Sequence, residues 1–211
     1  IKNPLTPIQL SAERLERKLA DKLNQSDAEM LSRSTHTIVN QVAALKNMVD
    51  AFAEYARSPQ LNLARLDLNQ LVREVLTLYE SSSVHIEIAL APDLPVVYGD
   101  AALLRQVMHN LMRNAEDALS DQPQAEIRVR TELVDAATVR WSIEDNGKGF
   151  PDALLGRLFE PYVTTKQKGT GLGLAIVKKI VDEHQGRILA QNIEPHGARV
   201  SIQLPRAEEV T

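Results

Sequence analysis

Cysteine is absent from the 211 residues, which excludes a disulfide framework, thiolate zinc sites and thiol catalysis and suits a reducing compartment. Long hydrophobic runs are absent too: nothing approaches the roughly 20 apolar residues of a membrane span. The first residues lack the charged-then-apolar pattern of a signal peptide. Positive charge is not in excess, since 24 Lys and Arg stand against 28 Asp and Glu for a net charge of -4. A broad nucleic-acid footprint is thereby excluded. There is no internal repeat and no low-complexity segment. What is present, 44% hydrophobic and 25% charged residues, supplies a buried core and a solvated surface for one or two domains.

Two periodicities divide the chain. Residues 1–58 read as helix only. Pro4 and Pro7 fit the irregular start and first turn of a helix, where a missing N–H costs little. Ile8, Leu15, Leu19 and Leu23 follow on one stripe. Ser26 with Glu29 reads as a capping box opening a second helix. Along it Leu31, Ile38, Val42, Leu45, Val49 and Phe52 recur at steps of three, four and seven, a heptad seam that wants a facing helix. The short connection at Asn24-Gln25-Ser26 predicts an antiparallel hairpin, and its apolar seam predicts a homodimer forming a four-helix bundle. Packing of the hairpin on the rest of the chain is the alternative.

Ser58-Pro59 ends the second helix, because the residue before proline avoids helical angles. Residues 59–66 read as a linker, and 67–211 as a second domain. There the pattern predicts helix at 68–79, strand at 84–88, helix capped by Asp100 to about 119, and strands at 126–133 and 138–144. A glycine-rich stretch at 146–173, a helix at 172–184 and strands at 187–192 and 199–204 complete it. Strands grouped together with helices inserted between them make an α+β layer fold.

Four stretches carry chemistry. "EDNGKGF" at 144–150 puts Asp145 just past a strand, with Gly147 and Gly149 leaving backbone bare enough for a flat ligand; an ordinary Asp-Asn-Gly turn has the same residues. "KGTGLGLAIVKKIV" at 168–181 leads Gly169, Gly171 and Gly173 into a helix whose first N–H groups and positive dipole end suit phosphate. Its spacing is neither that of a dinucleotide fingerprint nor that of a Walker loop; a merely flexible loop is the alternative. In "RQVMHNLMRNAEDAL" at 105–119, Asn110 and Asn114 stand four apart and share a helix face. Their side-chain oxygens suit Mg²⁺, which takes few protein ligands and keeps water and phosphate. "LFEPYVTTK" at 158–166 is an aromatic-flanked segment within the loop.

In this order and spacing the four stretches resemble the N, G1, F and G2 boxes of the histidine-kinase ATP-binding domain, over residues 66–205. The hairpin resembles the dimerisation and histidine-phosphotransfer domain that precedes it in that family. "IKNPLTPI" and "NAEDAL" look like the nitrogen-regulation sensor kinases of the NtrY and NtrB type. The resemblance implies a helical hairpin followed by a two-layer α/β sandwich of the Bergerat type, binding ATP with Mg²⁺. It implies Asp145 as acceptor for the adenine amine, with Gly147 and Gly149 allowing backbone approach. Asn114 would ligate Mg²⁺, with Asn110 supporting phosphate or metal-bound water. Gly169, Thr170, Gly171, Leu172 and Gly173 would hold the phosphates, Lys166 and Lys168 would supply charge, and Phe159 and Tyr162 would anchor the lid.

The family's acceptor motif runs His-Glu-hydrophobic-Lys/Arg-Asn-Pro, and Ile1-Lys2-Asn3-Pro4 matches from its third position. The acceptor His is therefore expected two residues before Ile1, so this stretch alone would not autophosphorylate. The histidines present, His36, His85, His109, His184 and His196, lack the acceptor's context, with His109 placed to assist near the nucleotide. Asn3 would position water for dephosphorylation of a response regulator receiver domain, the expected partner, docking over Leu5 and Ile8. A cytoplasmic domain of a parent anchored in the bacterial inner membrane is implied. Two departures stand out. The family's Lys or Arg after the second Asn is replaced by Glu116 and Asp117. Asn110 stands where gyrase and chaperone relatives carry a Glu, which implies slow hydrolysis. An ATPase clamp of that type and a non-catalytic nucleotide-binding scaffold are the competing readings.

Overall fold

The computed structural model describes residues 2–56, 61–120, 122–166 and 169–207, without the side chains of residues 2–4 and 54. The chain divides into two compact units, Ile1–Arg57 with Thr164–Thr170, and Ser58–Val163 with Gly171–Thr211.

In the first unit, α1 (Lys2–Leu19) and α2 (Gln25–Ala56) form the expected hairpin. α1 begins before both prolines, so Pro7 lies inside the helix and not in its first turn. The capping box is not Ser26 with Glu29, because α2 starts one residue before Ser26. Asn24 is the cap: its Oδ1 accepts from the Asp27 N–H at 3.0 Å, and its Nδ2 donates to the Asp27 carboxylate at 2.7 Å. Two bonds from one Asx side chain outcompete a serine inside the first turn. Leu5 and Ala12 on α1, and Thr35 and Val42 on α2, are buried at a spacing of seven. Leu5 thus belongs to the packed stripe and cannot offer itself for docking, while Ile8 remains exposed. The predicted seam is split: Val42 is buried, whereas Ile38, Leu45 and Phe52 are 43%, 48% and 51% exposed.

The second unit opens with β1 (Ala64–Leu66), inside the stretch read as a linker, which pairs antiparallel with β3 (Val97–Gly99) in a small separate sheet. α3 (Leu68–Leu76) is capped by Asp67. The main sheet has five strands, β2 (His85–Leu90), β4 (Glu126–Asp135), β5 (Thr138–Asp145), β6 (Arg187–Asn192) and β7 (Ala198–Pro205), in the order β2-β4-β5-β7-β6. β2 runs parallel to β4 and the other neighbours are antiparallel. Alternation sends Ile127, Val129, Val139, Trp141, Ile143, Val200, Ile202 and Leu204 to one buried face. The apolar stripes of α3, α4 (Ala101–Ala118) and α6 (Gly173–Glu183) pack there, while the short α5 (Asp152–Leu155) lies in the glycine-rich stretch. This is a two-layer α/β sandwich. The opposite face carries charge, with Glu144 bonded by Arg199 at 2.8 Å and Arg128 by Glu87 at 2.6 Å.

Candidate functional site

Asp145 ends β5 on the same inward row as Trp141 and Ile143, paired with Ile127 of β4 and Ala198 of β7. A carboxylate at the end of a buried row is held from water: it is 9% exposed. Its Oδ1 accepts from the Gly147 N–H at 2.9 Å. Burial pushes the Asp145 carboxyl above the usual carboxylate range, against the opposing N–H donors of Gly147 and Ala198.

The loop after it is tied down on both sides. Asn146 accepts from the Glu126 N–H at 2.9 Å and donates to the Gln124 carbonyl at 2.7 Å, anchoring the turn to the start of β4. A Cβ on Gly147 would stand 2.8 Å from Asp145 Oδ1 and 2.9 Å from the Ala118 carbonyl of α4, so helix and loop meet only because nothing is there. Gly149 adopts φ +71°, open to glycine at little cost.

α4 supplies the opposite wall. Its start is fixed by Asp100, whose Oδ1 accepts from the Ala102 and Leu103 N–H groups and whose Oδ2 accepts from Asn62. Burial alone would push the Asp100 carboxyl up, but the N–H donors of Asn62, Leu103 and Ala102 outweigh it and hold it below the usual range. The Asp100 N–H donates to His184 Nε2 at 2.9 Å, and the other ring nitrogen donates to the Ile180 carbonyl at 2.7 Å. A buried histidine thereby joins the start of α4 to the end of α6. His109 turns instead to Tyr79, at 3.1 Å from its hydroxyl, and Glu116 accepts from Ser82 at 2.9 Å.

Between these walls lies a cavity of about 40 Å³ whose lining includes Asn114, Ala118, Asp145, Gly149, Phe150 and Leu174. Asp145 and Asn114 therefore line one cavity. Asn110, one turn before Asn114, has its Oδ1 3.9 Å from where a Gly173 Cβ would be. That brings the second amide to the N-terminus of α6, whose dipole and first N–H groups favour anions. Among the described residues no group of three or more His, Cys, Asp or Glu could hold a metal. A cation here would depend on amide oxygen plus ligand oxygens, the preference of Mg²⁺.

The loop ahead of α6 closes at its base, where the Tyr162 N–H donates to the Gly171 carbonyl at 2.9 Å. Gly171 has φ +67°, and a Cβ there would fall 2.5 Å from the Tyr162 carbonyl carbon. Tyr162 is exposed, Phe159 half-buried and Leu172 buried at the helix start. Thr164 to Thr170 belong to the other compact unit; within it Lys166 N–H donates to Thr164 Oγ1, and Gly169 N–H to the Lys166 carbonyl, each at 3.1 Å. Lys168 and the Asn3 side chain lie outside the described residues.

Three residues of this neighbourhood escape sequence reasoning. Phe150 lines the cavity, Asn192 hydrogen-bonds the Phe150 backbone, and Gly197 with φ +125° would place a Cβ 2.0 Å from the Asp145 carbonyl oxygen. Phe150 leaves a signal as the last residue of the 144–150 stretch, and Gly197 as a glycine between the strands read at 187–192 and 199–204.

Comparison with known proteins places these features in a lineage. The sequence matches the family described as histidine kinase-, DNA gyrase B-, and HSP90-like ATPase over residues 99–208. It is 41% identical to the nitrogen regulation protein NtrY of Azorhizobium caulinodans, over 99% of this chain and 28% of that protein's length. The chain thus spans about a third or less of that relative. Among solved structures, full-length ShkA in complex with AMPPNP aligns with a TM-score of 0.71 at 25% identity, over 99% of this chain and 44% of the other. Histidine kinase ThkA in complex with response regulator protein TrrA aligns with a TM-score of 0.72 at 26% identity, over 98% and 60% respectively.

Proposed function

Because the chain belongs to the histidine kinase-, DNA gyrase B- and HSP90-like ATPases, among the two-component sensor histidine kinases of the nitrogen-regulation type, we propose that it binds ATP between α4 and the 145–150 loop for phosphoryl transfer to histidine. The observation that carries this is the buried Asp145 lining one cavity with Asn114 of α4.

Asp145 accepts the exocyclic amine of adenine. Guanine presents a carbonyl there, so two acceptors would oppose each other in a dry pocket, a mismatch that rejects GTP strongly. Gly147 and Gly149 let the backbone close on the base. The N–H groups at Gly171, Leu172 and Gly173 and the dipole of α6 hold phosphate, with Asn110 beside them. Asn114 would hold Mg²⁺ together with phosphate oxygens, and the ion would neutralise charge building up on the transferred group. The sequence motif assigns Lys166 and Lys168 as the cations for the phosphates. The γ-phosphoryl bond to ADP breaks as a bond to a histidine nitrogen forms; positioning carries the catalysis, since phosphoryl transfer needs little covalent help. Asn110, unlike a glutamate, cannot take a proton from water, which keeps hydrolysis slow.

The hairpin acts as a dimerisation and phosphotransfer element. Ile38, Leu45 and Phe52, seven apart on α2, and Ile8 and Leu15 on α1 remain exposed. Two such stripes back to back make a four-helix bundle. The ThkA complex supports a response regulator receiver domain as partner, and regulator dephosphorylation through Asn3 rests on the sequence motif alone. No helix among the described residues is long and apolar enough to cross a membrane; work on the cytoplasmic side of a membrane-anchored parent follows from the sensor-kinase reading.

The test is transfer itself. The chain extended at its start so that a His-Glu pair precedes Ile1 is incubated with ATP labelled on its γ-phosphate. The expected product is acid-labile, base-stable protein label. Fast release of phosphate without label would favour the clamp reading, and nucleotide binding with neither would favour the scaffold.

A further inference from the structure

We propose that Asn192, at the end of β6, is a positioning residue for the nucleotide base: it clamps Phe150 so that the pocket stands ready before ATP arrives. This rests on the ATP reading above. Phe150 is the aromatic among the described residues lining the cavity, and it follows Gly149, whose φ of +71° takes the chain out of any sheet ladder. Its backbone groups would otherwise look for water. Instead Asn192 Oδ1 accepts from the Phe150 N–H at 2.7 Å, and Asn192 Nδ2 donates to the Phe150 carbonyl at 2.8 Å. One side-chain amide thus does for Phe150 what a neighbouring strand would do.

The approach is close enough to constrain its neighbour. A Cβ on Gly149 would fall 2.7 Å from Asn192 Oδ1, so this glycine is required by the clamp as well as by its own φ. The rest of the β6–β7 turn grips the same segment. His196 Nδ1 donates to the Asn146 carbonyl at 2.8 Å, and Gly197 lies against the Asp145 carbonyl with no room for a side chain. The turn therefore holds segment 145–150 at its start, near its start and at its end. Fixing a binding loop in its bound shape raises affinity by removing the ordering cost from the binding step.

The chemistry of the clamp gives a signature that simple packing lacks. Only a group with one acceptor and one donor side by side can serve both Phe150 groups. Asn192→Asp has the same shape but sets a carboxylate oxygen against the Phe150 carbonyl. A packing role tolerates Asp; a clamp does not.

The experiment compares the chain with Asn192→Ala and Asn192→Asp, reading ATP and adenosine affinity by calorimetry and exchange of the Phe150 amide by NMR. The clamp predicts that both variants lose affinity about tenfold, the worth of one or two net hydrogen bonds, with adenosine losing the same factor as ATP. It also predicts that the Phe150 amide, slow in the parent, exchanges fast in Asn192→Ala, whereas Asn192→Asp keeps an acceptor for that N–H and loses only the bond to the Phe150 carbonyl. Unchanged affinity and protection in Asn192→Ala, or parental affinity in Asn192→Asp beside a weakened Asn192→Ala, would overturn it. If the parent itself binds no nucleotide, the ATP reading fails, and the amide exchange still decides the clamp. Asn192 is exposed, so both variants are expected to fold; if Asn192→Ala does not, Asn192→Asp decides alone.

Discussion

The N–H of Gly147 donates to Asp145 Oδ1 across 2.9 Å, and a Cβ on the same glycine would stand 2.8 Å from that oxygen and 2.9 Å from the Ala118 carbonyl. Loop, strand end and α4 are thus in register through a residue that cannot be enlarged. The backbone carbonyl of a helix has no rotamer to yield with. Gly147→Ala is expected to lose ATP binding by tenfold or more and to destabilise the second unit by about 1–3 kcal/mol, the usual cost of overpacking. Calorimetric titration and thermal melting read the two effects.

Asp145 trades stability for function. Its folded-state carboxyl holds its proton to higher pH than the unfolded one, because burial disfavours the charge. Folding therefore gains stability from this group as pH falls, and loses it as pH rises through the window just above the ordinary carboxylate range. Asp145→Asn removes that loss while keeping the shape and an oxygen for the Gly147 N–H. At neutral pH the variant should melt no lower than the parent and somewhat higher, yet fail to bind ATP. A thermal melt beside a titration checks both. In the parent, ATP affinity should fall on acidification through the same window, as the acceptor acquires a proton.

Asn114 is assigned to the cation. Asn114→Ala should weaken ATP binding about tenfold in the presence of Mg²⁺, in line with losing a metal-site ligand or its support. With EDTA present the parent and variant should converge. Equal loss with and without the ion would give Asn114 to the nucleotide and not to the metal.

The exposed stripe on α2 makes the hairpin dimer checkable. Lys at both Ile38 and Leu45 places charge on the proposed seam and leaves Thr35 and Val42, the buried stripe, untouched. Light scattering should fall from about twice 23.4 kDa to 23.4 kDa, with helical circular dichroism retained. A parent that already scatters as a monomer would contradict the bundle.

Much of this was legible in the sequence, and the reasons are local. Asp100 as a cap, the alternation over 138–144, which stops one residue short of the strand's true end at Asp145, and the amphipathic helix after Gly171 each lie within one short window, where periodicity and capping chemistry are decisive. What was missed is set by partners far along the chain. β1 and β3 are three residues each and pair with one another across 30 residues of sequence or more. Asn24 and Ser26 are both good caps, and only the reciprocal bonds with Asp27 decide between them. Asn192 reads as a strand-end residue; its partner Phe150 is 42 residues away. The seam at 31–52 reads as apolar from its spacing, but its division into a buried stripe and an exposed one is set by the helix pair itself.

The most direct test of the account is a calorimetric titration of ATP with Mg²⁺ into the chain, with Asp145→Asn and a GTP control alongside. The account predicts saturable binding of ATP, none of GTP, and loss of ATP binding in a variant that remains folded. ATP binding that survives in Asp145→Asn, or equal binding of GTP, would contradict it.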